Sequence, residues 1–212
     1  MTKSLYSLML TDEIVREVDR LCLMKGTNRS NLINQILAEY VSYTTPEMRI
    51  KSIFDIMTSL IDERNGQIAL YNAPRQSTIS LKSSIDYRYR PTVKYDVELF
   101  KGNEGRSIGR LSVTFRTQSG ELLDRIAEFF TLWCYLEEMC FGKRKYSTGG
   151  GRLMRDIELT SSGSYSLDDI ARAINAYINL LDHCMKGYLS GRLREQDVLE
   201  LLQAHKAKEM LI

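Results

Sequence analysis

Two histidines, His183 and His205, are all the imidazoles this chain of 212 residues carries. Neither belongs to a His-x-x-x-His pair, and the four cysteines form no Cys-x-x-Cys. Zinc-type sites need such spacings to bring ligands onto one face. His183-Cys184 with Cys134, Cys140 or His205 is the one grouping that can be drawn as a metal site. Its cysteines fall on apolar helical stripes, which argues for buried thiols and a surface imidazole. Cys22, Cys134, Cys140 and Cys184 are also too scattered for a disulfide framework, so they read as thiols of a reducing compartment. Thr148-Gly149-Gly150-Gly151 lacks the Gly-Lys-Ser/Thr ending of a phosphate loop and reads as a flexible connection. No apolar run approaches bilayer length, and no basic-then-apolar leader opens the sequence. The expectation is a cytoplasmic, non-enzymatic protein with no metal, no cofactor and no membrane partner. Hydrophobic residues make up 43% and charged residues 26% of the chain, as in ordinary globular proteins. The formal net charge of +2 is too small to argue for a nucleic-acid partner by itself.

What is present is concentrated in the first 41 residues. Lys3 to Leu10 alternates with a period of two, placing Tyr6, Leu8 and Leu10 on one face and Lys3, Leu5, Ser7 and Met9 on the other. Thr11 then caps a helix expected to reach Lys25, with Asp12 and Glu13 in its first turn, where the helix dipole favours acids. Ile14, Val18, Leu21 and Cys22 form its apolar stripe. Gly26 stands where a helix end wants a left-handed residue. Asn28 caps a second helix that carries Leu32, Ile33, Ile36, Leu37, Tyr40 and Val41 inward. A lone strand and two short helices cannot bury a core, so residues 1–45 are expected to dimerise.

This unit resembles the ribbon-helix-helix family of bacterial DNA-binding proteins. The resemblance covers residues 3–43 and rests on Leu8-Met9-Leu10-Thr11-Asp12-Glu13, on Gly26 and on Arg29-Ser30-x-x-Ile33. It implies an intertwined homodimer whose two-stranded ribbon enters the major groove of double-stranded DNA. Leu5, Ser7 and Met9 would lie on the groove floor, with Lys3 near a phosphate. Asn28, Arg29, Ser30 and Asn31 would clamp a backbone phosphate at the helix N-terminus. The ribbon departs from the family's usual display of Arg, Lys, Thr, Asn or Gln, because Ser7 alone offers a hydrogen bond between two apolar neighbours. Leu5 and Met9 suit thymine methyl groups, and they equally suit a partner protein. The implied function is a nucleoid-associated transcriptional regulator, a repressor. The alternatives are a plasmid or mobile-element accessory or partition factor, and an interaction module that does not read DNA.

Beyond Pro46 a connecting helix is expected over 46–65. Its residues Ile50, Ile53, Phe54, Met57, Leu60 and Ile61 either continue a dimer axis as a short coiled coil or pack on a second domain. Asn65-Gly66 and Asn72-Ala73-Pro74 mark breaks. From Ser77 to Thr117 the period is two. Tyr87, Tyr89, Val93, Tyr95, Val97 and Leu99 alternate with Arg88, Arg90, Lys94, Asp96 and Glu98. Pro91 separates two strand-like runs, Gly102 to Gly105 is a turn, and Ile108 to Arg116 is a further strand. This reads as an antiparallel meander with one solvated face. A long helix follows over 119–141, a strand over 153–159, and a helix opened by the capping box of Ser166 and Asp169 and broken at Gly187 and Gly191. A last helix runs from Glu195 to the C-terminus. The fold class is thus α+β, with residues 66–212 as an oligomerisation or effector domain, open to tetramers and to a protein or small-molecule effector. Lys143, Arg144, Lys145, Arg152 and Arg155 occur without an acid between Phe141 and Asp156. They read either as a mobile basic loop tracking a nucleic-acid backbone or as a solvated loop.

Overall fold

The computed structural model describes residues 5, 7–41, 43–62, 68–87, 90–104, 107–159 and 165–208. The chain divides into two compact units, residues 1–49 and 50–212. The first holds helices α1 (Asp12–Lys25) and α2 (Arg29–Tyr40) and the start of α3 (Pro46–Asp62). The second continues through strands β1 (Ile68–Asn72), β2 (Thr78–Ser84), β3 (Thr92–Glu104) and β4 (Ser107–Arg116). Helix α4 (Gly120–Phe141), strands β5 (Tyr146–Gly149) and β6 (Arg152–Glu158), and helices α5 (Leu167–Leu189) and α6 (Glu195–Lys208) complete it. The protein is therefore mixed α+β, with an antiparallel six-stranded sheet and six helices among the described residues.

In the first unit the helices form as their caps dictate. Gly26 closes α1 in the left-handed conformation, at φ 61°, and Thr27 N–H returns to the Cys22 carbonyl at 3.0 Å. The strand expected over 3–10 is absent from the described part of that segment, since Leu5 and residues 7–10 carry no strand and the first strand follows three helices. Lys3 and Tyr6 lie outside the described residues. A strand exists through its ladder, and no described segment of this unit presents an edge to pair with. Val18, Cys22 and Leu32 form its whole buried cluster, with Leu21 and Ile33 against it. Ile14, Ile36, Leu37, Tyr40 and Val41, expected to face inward, are exposed. Two short helices meet along one line, so among the described residues of the unit nothing covers the rest of their apolar surface.

The second unit is a two-layer structure. The sheet order is β1-β2-β3-β4-β6-β5, with every neighbouring pair antiparallel. Inward residues alternate along each strand and join α3, α4, α5 and α6 in one core that includes Phe54, Ile79, Val97, Val113, Trp133, Leu153, Ile178 and Val198. Ile50, Ile53, Phe54 and Met57 belong to it, so α3 packs on the sheet domain. Ser119 caps α4, and Ser166 with Asp169 forms a complete capping box on α5.

Three expectations need correction. The strand-like run at 87–90 belongs to the connection after β2, with Arg90 at φ 41°, while Arg88 and Tyr89 lie outside the described residues. Gly187 does not break α5, which continues to Leu189; a side chain there would collide with Leu193, so the glycine lets the following loop fold back. The segment at 143–155 is no mobile loop: β5 and β6 form a hairpin at the sheet edge, turning through Gly150 and Gly151 at φ 56° and 72°. Helix α6 is described to Lys208, so Met210 lies outside.

Gly109 sits where β4 shifts register against β6, and an added Cβ would run into the Glu98 carbonyl oxygen and stand 2.9 Å from Leu99 Cδ2. Gly109→Ala is expected to lower stability by about 1–3 kcal/mol, as overpacking against backbone does. Urea unfolding of the full chain checks this, and an unchanged midpoint would refute the close approach.

Candidate nucleic-acid interface

Helix α2 opens on Asn28, whose Oδ1 accepts a hydrogen bond from Asn31 N–H at 2.9 Å. The cap therefore uses one of the donors expected to reach a phosphate. The N–H groups of Arg29 and Ser30 remain at the helix end, in a first turn without an acid. The Arg29 guanidinium is not free either: Nε and Nη2 grip the two Asp19 oxygens of α1. This bidentate pair ties the helices together and holds the Asp19 carboxyl below its ordinary range. Leu5, Ser7 and Met9 are exposed and precede α1 without pairing to any described residue. Lys3 lies outside the described residues.

The basic segment separates into different environments. Lys143 and Lys145 are exposed. Arg144 stands 3.8 Å from Glu158, and Arg152 Nε donates to Ser112 Oγ at 3.0 Å. Arg155 is 1% exposed and faces a fully buried Glu137, with Nη2 2.7 Å from Oε1. That approach lies off the hydrogen-bond axis, and Arg155 Nε has no acceptor among the described residues. Around the pair, Tyr146 and Tyr177 donate to Glu137 Oε2 at 2.7 and 2.9 Å, and Trp133 Nε1 donates to the Tyr177 oxygen at 3.0 Å. The Arg155 guanidinium also stacks over the Tyr177 ring at 4.5 Å. Burial first, then the Glu137 charge, holds the Tyr146 phenol protonated, and burial leads at Tyr177 too.

A second buried network lies between β2, β3 and α5. Tyr95 donates to Asp182 Oδ1 at 2.8 Å, and Lys186 pairs with Asp182 Oδ2 at 2.7 Å while donating to Ser83. Burial drives the Cys134 and Cys184 thiols up to about 12. No group of three His, Cys, Asp or Glu poised for a metal occurs among the described residues. No described helix is long and apolar enough to cross a membrane.

Sequence reasoning missed Glu137, Tyr146, Tyr177 and Asp182, and it placed Arg155 on a surface loop. The signal was present: Arg155 alternates in phase with Leu153 and Ile157, and Glu137 lies one turn from Trp133. Compared with known proteins, the chain matches no family model, no curated protein and no solved structure.

Glu137→Gln leaves the Arg155 cation buried without its counter-charge and is expected to cost about 3–5 kcal/mol of stability. Glu137→Leu combined with Arg155→Met is expected to lose less than Glu137→Gln alone, measured by denaturant unfolding; the reverse order would show that the ion pair is not the stabilising partnership. Asp19, with its pKa lowered in the fold, contributes stability above the unfolded carboxylate pKa and loses it as pH falls through the folded value. Amide exchange in α1 and α2 is therefore expected to quicken on acidification, and less so in Asp19→Asn. Equal acid sensitivity in both proteins would reject the linkage.

Proposed function

We propose that the chain is a dimeric, sequence-specific DNA-binding protein of ribbon-helix-helix type that acts as a transcriptional regulator. The observation that supports this best is the imbalance in the first unit. A buried cluster of Val18, Cys22 and Leu32 stands beside exposed Leu8, Leu10, Ile14, Ile36 and Leu37. Surface of that kind marks an interface rather than a solvated face. A second copy supplies the cover, and it supplies a pairing partner for residues 3–10. The resulting ribbon fits the major groove, with Leu5, Ser7 and Met9 toward the bases and Lys3 beside a phosphate. The N–H groups of Arg29 and Ser30 then meet a phosphate at the start of α2. The second unit serves as the assembly or signal-receiving domain, and nucleoid association follows from the DNA contact. Exposed Leu5 and Met9 around Ser7 favour one other reading, a ribbon that covers a partner protein instead of DNA.

Light scattering is expected to give at least twice the 24.4 kDa chain mass. Fluorescence anisotropy is expected to favour DNA from around the protein's own gene over random DNA. Ser7→Ala with Met9→Ala is expected to reduce that preference by roughly tenfold. Lys3→Ala is expected to weaken binding to all sequences and to reduce the salt slope by about one. A monomer in solution would sink the proposal; a dimer with no DNA preference would favour the protein-binding ribbon.

A further inference from the structure

The open face of the sheet carries a built trough. Cross-strand register aligns Asn72, Ser80, Asp96, Ser112 and Met154 in one row running across five strands. These side chains are short apart from Met154. Two residues along the strands on one side, register aligns Lys82, Lys94, Thr114 and Arg152. On the other side it aligns Thr78, Glu98, Arg110 and Asp156. At about 3.4 Å per residue the flanking rows stand roughly 13–14 Å apart, with a low floor between them. A cavity of about 380 Å³ lies over this floor, bounded at one end by Asn72, Ala73 and Arg75 of the turn after β1. That volume falls within the range of small-molecule sites.

The charges do not cancel within the trough. Asp96 is satisfied twice, by Lys94 at 2.8 Å and by the Ser80 hydroxyl at 2.6 Å. Arg110 pairs with Asp156 at 2.8 Å. Among the described residues Arg152 commits only Nε, to Ser112, and the two terminal nitrogens of its fork have no partner. Arg75 has no acidic partner among the described residues. Ser112 is buried under Arg152, and its hydroxyl keeps a proton to donate while accepting from the guanidinium. Two uncommitted guanidinium groups and a serine hydroxyl around one cavity match a compact oxyanion, which arginine forks bind bidentately. A nucleic-acid strand fits less well, because the Glu98 and Asp156 row would lie along a continuous polyanion.

We propose that this trough binds a small metabolite through a phosphate or carboxylate group, with Arg75 and Arg152 as its anion-binding residues and Ser112 as a donor. The site stands whether or not the first unit reads DNA. Titration calorimetry of the full-length protein with inorganic pyrophosphate and, separately, with citrate at moderate salt tests it. The expected result is saturable binding of at least one anion, one per chain, weakened about tenfold or more in Arg152→Met and in Arg75→Met. Lys143→Met, which removes an exposed charge elsewhere, is expected to change it less than twofold. The stronger anion identifies the ligand as phosphorylated or carboxylic. Ser7→Ala with Met9→Ala is expected to leave anion binding intact, which separates this site from the DNA reading. Lack of saturable binding by either anion overturns the proposal. So does equal weakening in Lys143→Met, or tighter Arg152-dependent binding of a single-stranded oligonucleotide.

Discussion

Glu137 is a carboxylate removed entirely from solvent, and the packing of the larger unit is arranged around that fact. Desolvating such a charge costs several kcal/mol, so the site survives only if its neighbours supply compensating positive charge and donors. Arg155 from β6 brings the charge, while Tyr146 from β5 and Tyr177 from α5 bring the donors. Three elements are thereby bound to one position on α4. The hairpin of β5 and β6 is the last part of the sheet to be added, and it has neighbouring strands on one side only. Its attachment to the helical layer joins this network to the apolar packing of Leu153 and Ile157 in the common core. A hydrophobic contact tolerates sliding, but a bidentate acid with named donors does not. The network fixes the register of the hairpin against α4 as well as its presence.

That constraint also sorts the two faces of the sheet. Inward positions must be apolar or paired; Tyr95 and Ser83 are hydrogen-bonded, and Arg155 has the Glu137 charge beside it. Outward positions on the same strands escape it. They carry Lys94, Asp96, Glu98, Arg110 and Arg152, whose side chains need only mutual compensation and water. Charge that remains uncommitted there is free to meet a ligand.

Local chemistry was legible in the sequence, and pairing was not. Gly26, Asn28, Ser119 and the Ser166–Asp169 box act within one helical turn, so their residue types alone fixed the helix ends. Strands β3 and β4 came through their alternation, whereas the strand expected before them fell at 87–90 and β2 lies at Thr78–Ser84. β1 did not, because a shift in register between Leu70 and Asn72 breaks its period. β5 is four residues ending in glycine, too short for a period to register. Arg155 was misplaced because five cations in a glycine-rich stretch weigh toward a loop, while the alternation of Leu153, Arg155 and Ile157 says strand. The face to which a residue belongs outranked its charge. The trough could not be seen at all, since its rows exist only once cross-strand register is known.

Both buried networks also bear on whether this chain performs catalysis. Perturbed titration and clustered ionisable groups often mark active sites, yet the same signature arises wherever charges are paired in a core. What separates the cases is whether any group remains uncommitted and facing a space that holds a reactant. Around Glu137 both tyrosine protons are already given to the carboxylate, and the Arg155 charge is balanced. Around Asp182 the lysine pairs with the carboxylate and the serine faces it from within the core. Neither network borders the cavity on the outer face, whose lining residues lie on the opposite side of the strands. The buried charges fasten the sheet to the helices, and the surfaces the fold leaves unsatisfied are the apolar side of α1 and α2 and the outer face of the sheet.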